Sequence, residues 1–245
     1  IAYVNKFKAD YLGRHPGNMD FDFIVIHESG HEYWGNSISM NDLADMWIHE
    51  SFCTYTEVLY VEKIYGYNAM LEYLLYQKEF IDASSPIYGV HGLNNKGNAT
   101  DMYYKGSWML HSIRNTINNE SLWFSILKDL AQNFALQNCD GSEIIDFMCK
   151  ASGLDLKPIF NQYLAFAKLP VLSYKFKKRA GKLMLFYKWS AQADNFNMPL
   201  EIYVGSEKKF RIFPKSKYQR INLGNTDKLE VSFSENLFLF EKNKD

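Results

Sequence analysis

Apolar positions recur at helical spacing over the first two thirds of the chain and at every second position over the last third. From a polar cap at Asn18/Asp20 to the stop at Gly35-Asn36, the pattern predicts one helix over 18–36. A second is expected over 45–65, ending before Gly66, and others over 68–83, 103–118, 120–136, 142–151 and 155–167. Asp155-Leu156-Lys157-Pro158 puts a proline in the first turn of the last of these. Between Ser84 and Thr100 the breakers Pro86, Gly89, Gly92 and Gly97 predict a loop that leads straight to Tyr103.

After Pro170 the period changes to two. Leu172, Tyr174 and Phe176 alternate with Ser173, Lys175 and Lys177, and Leu183, Leu185 and Tyr187 continue the pattern beyond Gly181. Similar stretches near 199–204, 208–213, 218–223, 228–233 and 236–241 bring the expected strands to seven, a β-sandwich of about 75 residues. The basic run Lys175-Phe176-Lys177-Lys178-Arg179 ends at Ala180-Gly181 and reads as an exposed hairpin. The chain therefore divides into a helical unit, 1–169, and a β unit, 170–245.

Composition narrows the function classes. With 245 residues, 47% of them hydrophobic, the chain can bury a substantial core. Cys53, Cys139 and Cys149 are too few and too scattered for a disulfide framework or a cysteine metal site, and read as free thiols. No run of about eighteen apolar residues occurs, so no membrane span is expected. The net charge of −1 hides an asymmetry: residues 170–245 hold 15 Lys and Arg against 8 Asp and Glu, the rest 12 against 20. An acidic helical unit favours cationic ligands such as a peptide's free amino terminus, although solvated helix faces produce the same imbalance. Nucleic-acid binding is not expected.

The chemistry concentrates at His27-Glu28-Ser29-Gly30-His31. On a helix, His27 and His31 lie one turn apart on one face, so both imidazoles can reach one metal ion, with Glu28 beside them as a base rather than a ligand. An ordinary helix with a charged face would also carry this pentapeptide, so its neighbours matter. Glu50 follows after eighteen intervening residues, in Trp47-Ile48-His49-Glu50-Ser51-Phe52, and offers a third ligand from a second helix. Two histidines, a distant glutamate and an open position are how proteins build catalytic zinc. Glu57 lies two turns beyond Glu50 on the same face, where its carboxylate can orient a ligating histidine. Tyr103 and Tyr104 supply phenols farther along. His15, His91 and His111 read as structural histidines, although the loop of His91 borders the expected cleft.

Together these motifs resemble those of the gluzincin aminopeptidases, the family of alanyl and leucyl aminopeptidases and leukotriene-hydrolase enzymes, and most of all its shorter bacterial members. The metal signature runs from His27 to Asn36. The family's W-L-N-E-G-F-A corresponds to Trp47–Cys53, and its Y-E-K-G to Tyr103-Tyr104-Lys105-Gly106. His49 stands where the family has Asn, and Ser51 where it has Gly. His49 is adjacent to Glu50 and would point about 100° away around a helix, so metal binding should survive. The family's G-x-M-E-N loop, which reads the substrate's free amino group, has no counterpart before His27, so an N-terminal part of the same protein is expected to supply it.

The resemblance implies the all-α lobe of a thermolysin-like zinc peptidase domain over 1–169, followed by a small antiparallel β-sandwich over 170–245 with a structural role. It implies one Zn²⁺ per chain on His27, His31 and Glu50, and peptide substrates with a free amino terminus. Such an ion lowers the pKa of a bound water to about 7. Glu28 would act as general base, and Tyr103 would stabilise the oxyanion by about 3 kcal/mol. Two alternatives are a thermolysin-like endopeptidase and a non-catalytic metal-binding scaffold. Without the amine-anchoring loop, poor activity is expected of this stretch alone. Its compartment is not legible; the family implies an exported, extracytoplasmic home.

Overall fold

The computed structural model describes residues 19–97, 100–179, 181–205, 208–225 and 230–245. Asn18 and His15 lie outside them. Seven α-helices come first among the described residues: α1 (Phe23–Gly30), α2 (Trp47–Tyr65), α3 (Tyr67–Lys78), α4 (Tyr104–Ile117), α5 (Glu120–Asn133), α6 (Gly141–Ser152) and α7 (Lys157–Ala165).

Local chemistry sets their limits. The Asp22 carboxylate accepts from Val25 N at 3.2 Å and starts α1, later than the expected cap, and the helix stops at Gly30 rather than running to Gly35. Gly66, at φ +93°, separates α2 from α3, a backbone conformation that side chains other than glycine rarely adopt. Asn119 caps α5 through Leu122 N at 3.1 Å.

One departure from an all-α lobe is a parallel pair of three-residue strands, β1 (Ile38–Met40) and β2 (Gln137–Cys139). Each is too short to carry a readable alternation, and their pairing depends on a contact about a hundred residues apart in the chain.

From Val171 onward the chain is β: β3 (Val171–Arg179), β4 (Lys182–Ser190), β5 (Leu200–Val204), β6 (Lys208–Ile212), β7 (Gln219–Asn225), β8 (Val231–Phe233) and β9 (Glu241–Lys244). They form a four-stranded sheet, β7-β4-β3-β9, and a three-stranded sheet, β6-β5-β8. Side chains of the two meet where Tyr174 packs on Phe233, ring centroids 4.9 Å apart. Arg179 pairs with Lys182 across the expected hairpin. The β part is not wholly antiparallel, because β9 returns alongside β3 in the same direction.

A polar tie joins the helical and β parts. Arg211 Nη2 donates to the carbonyls of Asn115 and Thr116, at the C-terminal end of α4, at 2.7 and 3.0 Å. Lys105, wholly buried, donates from Nζ to the carbonyls of Phe166 and Ala167 at 2.8 and 2.9 Å. Within the helices, the buried Arg114 guanidinium holds Glu62 of α2 at 2.7 and 2.8 Å and also pairs with Glu120 of α5. Cys53, Cys139 and Cys149 are free thiols. Among the described residues, no helix is long and apolar enough to cross a membrane.

Candidate active site

Helices α1 and α2 pack together and carry the donors. His27 and His31 are one turn apart on α1 and its terminal turn, their rings edge to face with centroids 5.0 Å apart. Both present Nε2 to one carboxylate oxygen of α2: His27 Nε2 is 3.2 Å and His31 Nε2 3.7 Å from Glu50 Oε2. Three donor atoms from two helices therefore meet.

Each imidazole is also gripped from behind. His27 Nδ1 lies 2.8 Å from Glu57 Oε1 and His31 Nδ1 3.0 Å from the Trp34 carbonyl oxygen. Both Nδ1 atoms therefore rest against acceptors on the side of the ring away from Glu50. The turn after α1 makes the second grip possible. Gly35 has φ +149°, and a Cβ there would lie 3.2 Å from His31 Nδ1. Only glycine lets the chain fold this closely around His31.

Electrostatics hold the cluster in place. Burial opposes a charge on His27, but the hydrogen bonds to Glu50 and Glu57 outweigh it and raise its pKa to about 9. Burial likewise opposes the Glu50 carboxylate, yet His27, His31 and Tyr103 keep its pKa below the ordinary value. Two imidazole nitrogens facing a carboxylate oxygen are a set of donors whose chemistry fits zinc.

Cys53 is the other candidate donor, since its Sγ, a nitrogen of His27 and one of His31 all lie within 4.8 Å of one another. Geometry favours Glu50. Cys53 Sγ meets His31 at Nδ1, 3.2 Å away, the nitrogen already bonded to Trp34. Burial also pushes the thiol pKa up, against the thiolate that a metal needs. His49 turns aside to Ser39 Oγ at 3.4 Å, and its ring centroid is 6.4 Å from that of His31.

Tyr103 stands at the start of α4 with its ring 5.8 Å from that of His27. Burial and then the Glu50 charge raise its pKa to about 12, so it remains a proton donor. Glu28 is exposed and shares with His27 and Tyr103 the wall of a cavity of about 300 Å³. All six residues singled out from the sequence are thus brought to one place. His91, by contrast, pairs with Asp45 at 3.2 Å, and His111 is buried in α4.

Residues 17–163 match the model of the Peptidase family M1 domain. The chain belongs to this family. Relatives include an aminopeptidase N of Lactococcus lactis subsp. lactis, 25% identical over 164 residues, 61% of this chain and 19% of that protein. A leucyl aminopeptidase of Saccharolobus solfataricus is 23% identical over 159 residues, again 61% of this chain and 20% of its own length. An aminopeptidase N of Lactobacillus helveticus matches 94% of this chain at 23% identity, covering 31% of itself. The fold also superposes on aminopeptidase A of Legionella pneumophila, solved in complex with aspartic acid. The TM-score is 0.73 at 13% identity, over 91% of this chain and 27% of that one. The chain thus spans about a fifth to a third of the length of these M1 relatives.

Some contributors to the site carry no local sequence signal. Trp34 acts through its carbonyl, which any residue possesses. Ser51, whose hydroxyl donates to the Met102 carbonyl, and Tyr73, whose phenol donates to Glu57, reach across helices at positions fixed by packing rather than by spacing. Gly35 was legible only as a helix stop, though its place four residues after His31 hints at the tight turn.

Proposed function

We propose that this M1 chain carries the zinc site of an aminopeptidase, with His27, His31 and Glu50 as ligands, Glu57 orienting His27, and Glu28 and Tyr103 acting on substrate. The supporting observation is the convergence of two Nε2 atoms and Glu50 Oε2 while both Nδ1 atoms are bonded from behind. Zinc, when bound, supplies a Lewis acid that polarises the scissile carbonyl and acidifies water.

The protein's own side chains do the rest. Glu28 takes a proton from the attacking water and delivers it to the departing amine. Tyr103 donates its phenolic hydrogen bond to the oxygen that gains charge, a contribution of about 3 kcal/mol. The acidic balance of residues 1–169 favours a cationic amino terminus. Residues 170–245, read as a supporting β-sandwich domain, carry no chemistry in this reading.

The test is metal content and hydrolysis in the longest natural protein that contains the chain. One zinc per molecule is expected, lost in Glu50→Gln together with His31→Ala. Glu28→Gln should keep the metal and lose hydrolysis of aminoacyl amides, and Tyr103→Phe should slow it about a hundredfold while Tyr104→Phe does not. Retained hydrolysis in Glu28→Gln removes the assigned base. Cleavage of N-acetylated peptides at a comparable rate replaces the aminopeptidase with an endopeptidase.

A further inference from the structure

Tyr73 sits in the middle of α3, far from any motif, and its side chain is only 3% exposed. Its phenol donates to Glu57 Oε2 at 2.5 Å, while Glu57 Oε1 accepts from His27 Nδ1 at 2.8 Å. Glu57 is itself 4% exposed, so these two bonds take up both oxygens of a nearly dry carboxylate. A buried carboxylate with a single partner would be free to turn about its side-chain torsions toward any competing donor. With a second donor on the opposite side, only one rotamer satisfies both oxygens.

The ring of Tyr73 is fixed in turn. Phe21 packs edge-on against it with centroids 5.7 Å apart, and the ring of Tyr76 lies 6.5 Å away. Burial and the adjacent Glu57 charge keep the phenol protonated far above neutral pH, so it acts as a permanent donor. Three helices thereby converge on one imidazole: α1 supplies His27, α2 Glu57 and α3 Tyr73.

We propose that Tyr73 is a positioning residue of the metal site, locking Glu57 in the rotamer that aims His27 Nε2 at the ion. The inference rests on the metal-site reading given above. Tyr73 borders the same cavity as His27, Glu28 and Tyr103, and the role assigned to it runs through Glu57.

The experiment measures zinc affinity by chelator competition, and the visible spectrum of the cobalt-loaded chain, in four proteins: wild type, Tyr73→Phe, Glu57→Gln and the double variant. Partners of ligating histidines typically contribute at least tenfold to metal affinity, and Tyr73→Phe is expected to weaken zinc by about tenfold and move the cobalt band. Because Tyr73 works through Glu57, the double variant should bind no more weakly than Glu57→Gln alone. Tyr73→Phe within twofold of wild type, or losses that simply add, would overturn the proposal. If Tyr73→Phe does not fold, 3-fluorotyrosine at position 73 strengthens the same donor without changing its shape, and an unmoved cobalt band then overturns it. Wild type that holds neither metal refutes the proposed function and this inference together, whereas a loaded wild type with an indifferent Tyr73→Phe refutes this inference alone.

Discussion

The Ser51 hydroxyl donates to the Met102 carbonyl at 2.7 Å, linking the residue after Glu50 to the residue before Tyr103. Both ends are buried, so this one bond sets the spacing between α2 and the start of α4. It also accounts for the tight seam beside it, where a Cβ on Gly106 would come within 1.9 Å of Ser51 Oγ.

That seam gives a first prediction. Gly106→Ala should destabilise the fold by about 2 kcal/mol or more, because the added methyl cannot be placed without parting two helices. Ser51→Gly removes the atoms it strikes and should restore part of the loss, although alone it costs about 1 kcal/mol by leaving the Met102 carbonyl unpaired. Urea denaturation of the two single variants and the double decides the matter: strictly additive losses would mean that the two residues do not collide.

Lys105 offers a second. Burial pushes its ammonium pKa down to about 8, yet it remains the donor to two carbonyls that precede β3. Lys105→Met keeps the length of the side chain and strands both oxygens, at an expected cost of about 3 kcal/mol near pH 7. A midpoint of unfolding unchanged from wild type would show that the tie between α4 and residues 166–167 carries no weight.

His111 makes stability depend on pH. Burial, then the neighbouring Arg114 charge, lowers its pKa from 6.5 to about 3, so it stays neutral in the fold while the unfolded chain protonates it. Its contribution is complete above about pH 6.5. As pH falls from there toward 3, the unfolded state binds the extra proton and stability drops by up to ~1.4 kcal/mol per unit. His111→Gln should flatten this acid limb, measured as unfolding free energy between pH 4 and 7. An equally steep limb in the variant would assign the loss to other groups.

Spacing in the sequence was enough to select His27, His31, Glu50 and Glu57, because helical geometry converts intervals of four and seven into one face. The helix limits were legible wherever a cap or a glycine is local, as at Gly66, and displaced at the start of α1, where Asp22 rather than Asp20 supplies the cap. Strands β1 and β2 were not legible, since three residues carry too little period and their partner lies across the fold.

The sequence by itself determined the donor types, their order and the change from helix to strand near residue 170. Only the tertiary structure decided which nitrogen of each histidine faces the site. That choice depends on Glu57, on the Trp34 carbonyl and on Tyr73, reached through packing of three helices. It also set Glu50 and Cys53, three residues apart on α2, against opposite nitrogens of His31. Periodicity assigns a residue to a face, but the direction of a lone pair is fixed by whatever the rest of the chain brings to the other side of the ring.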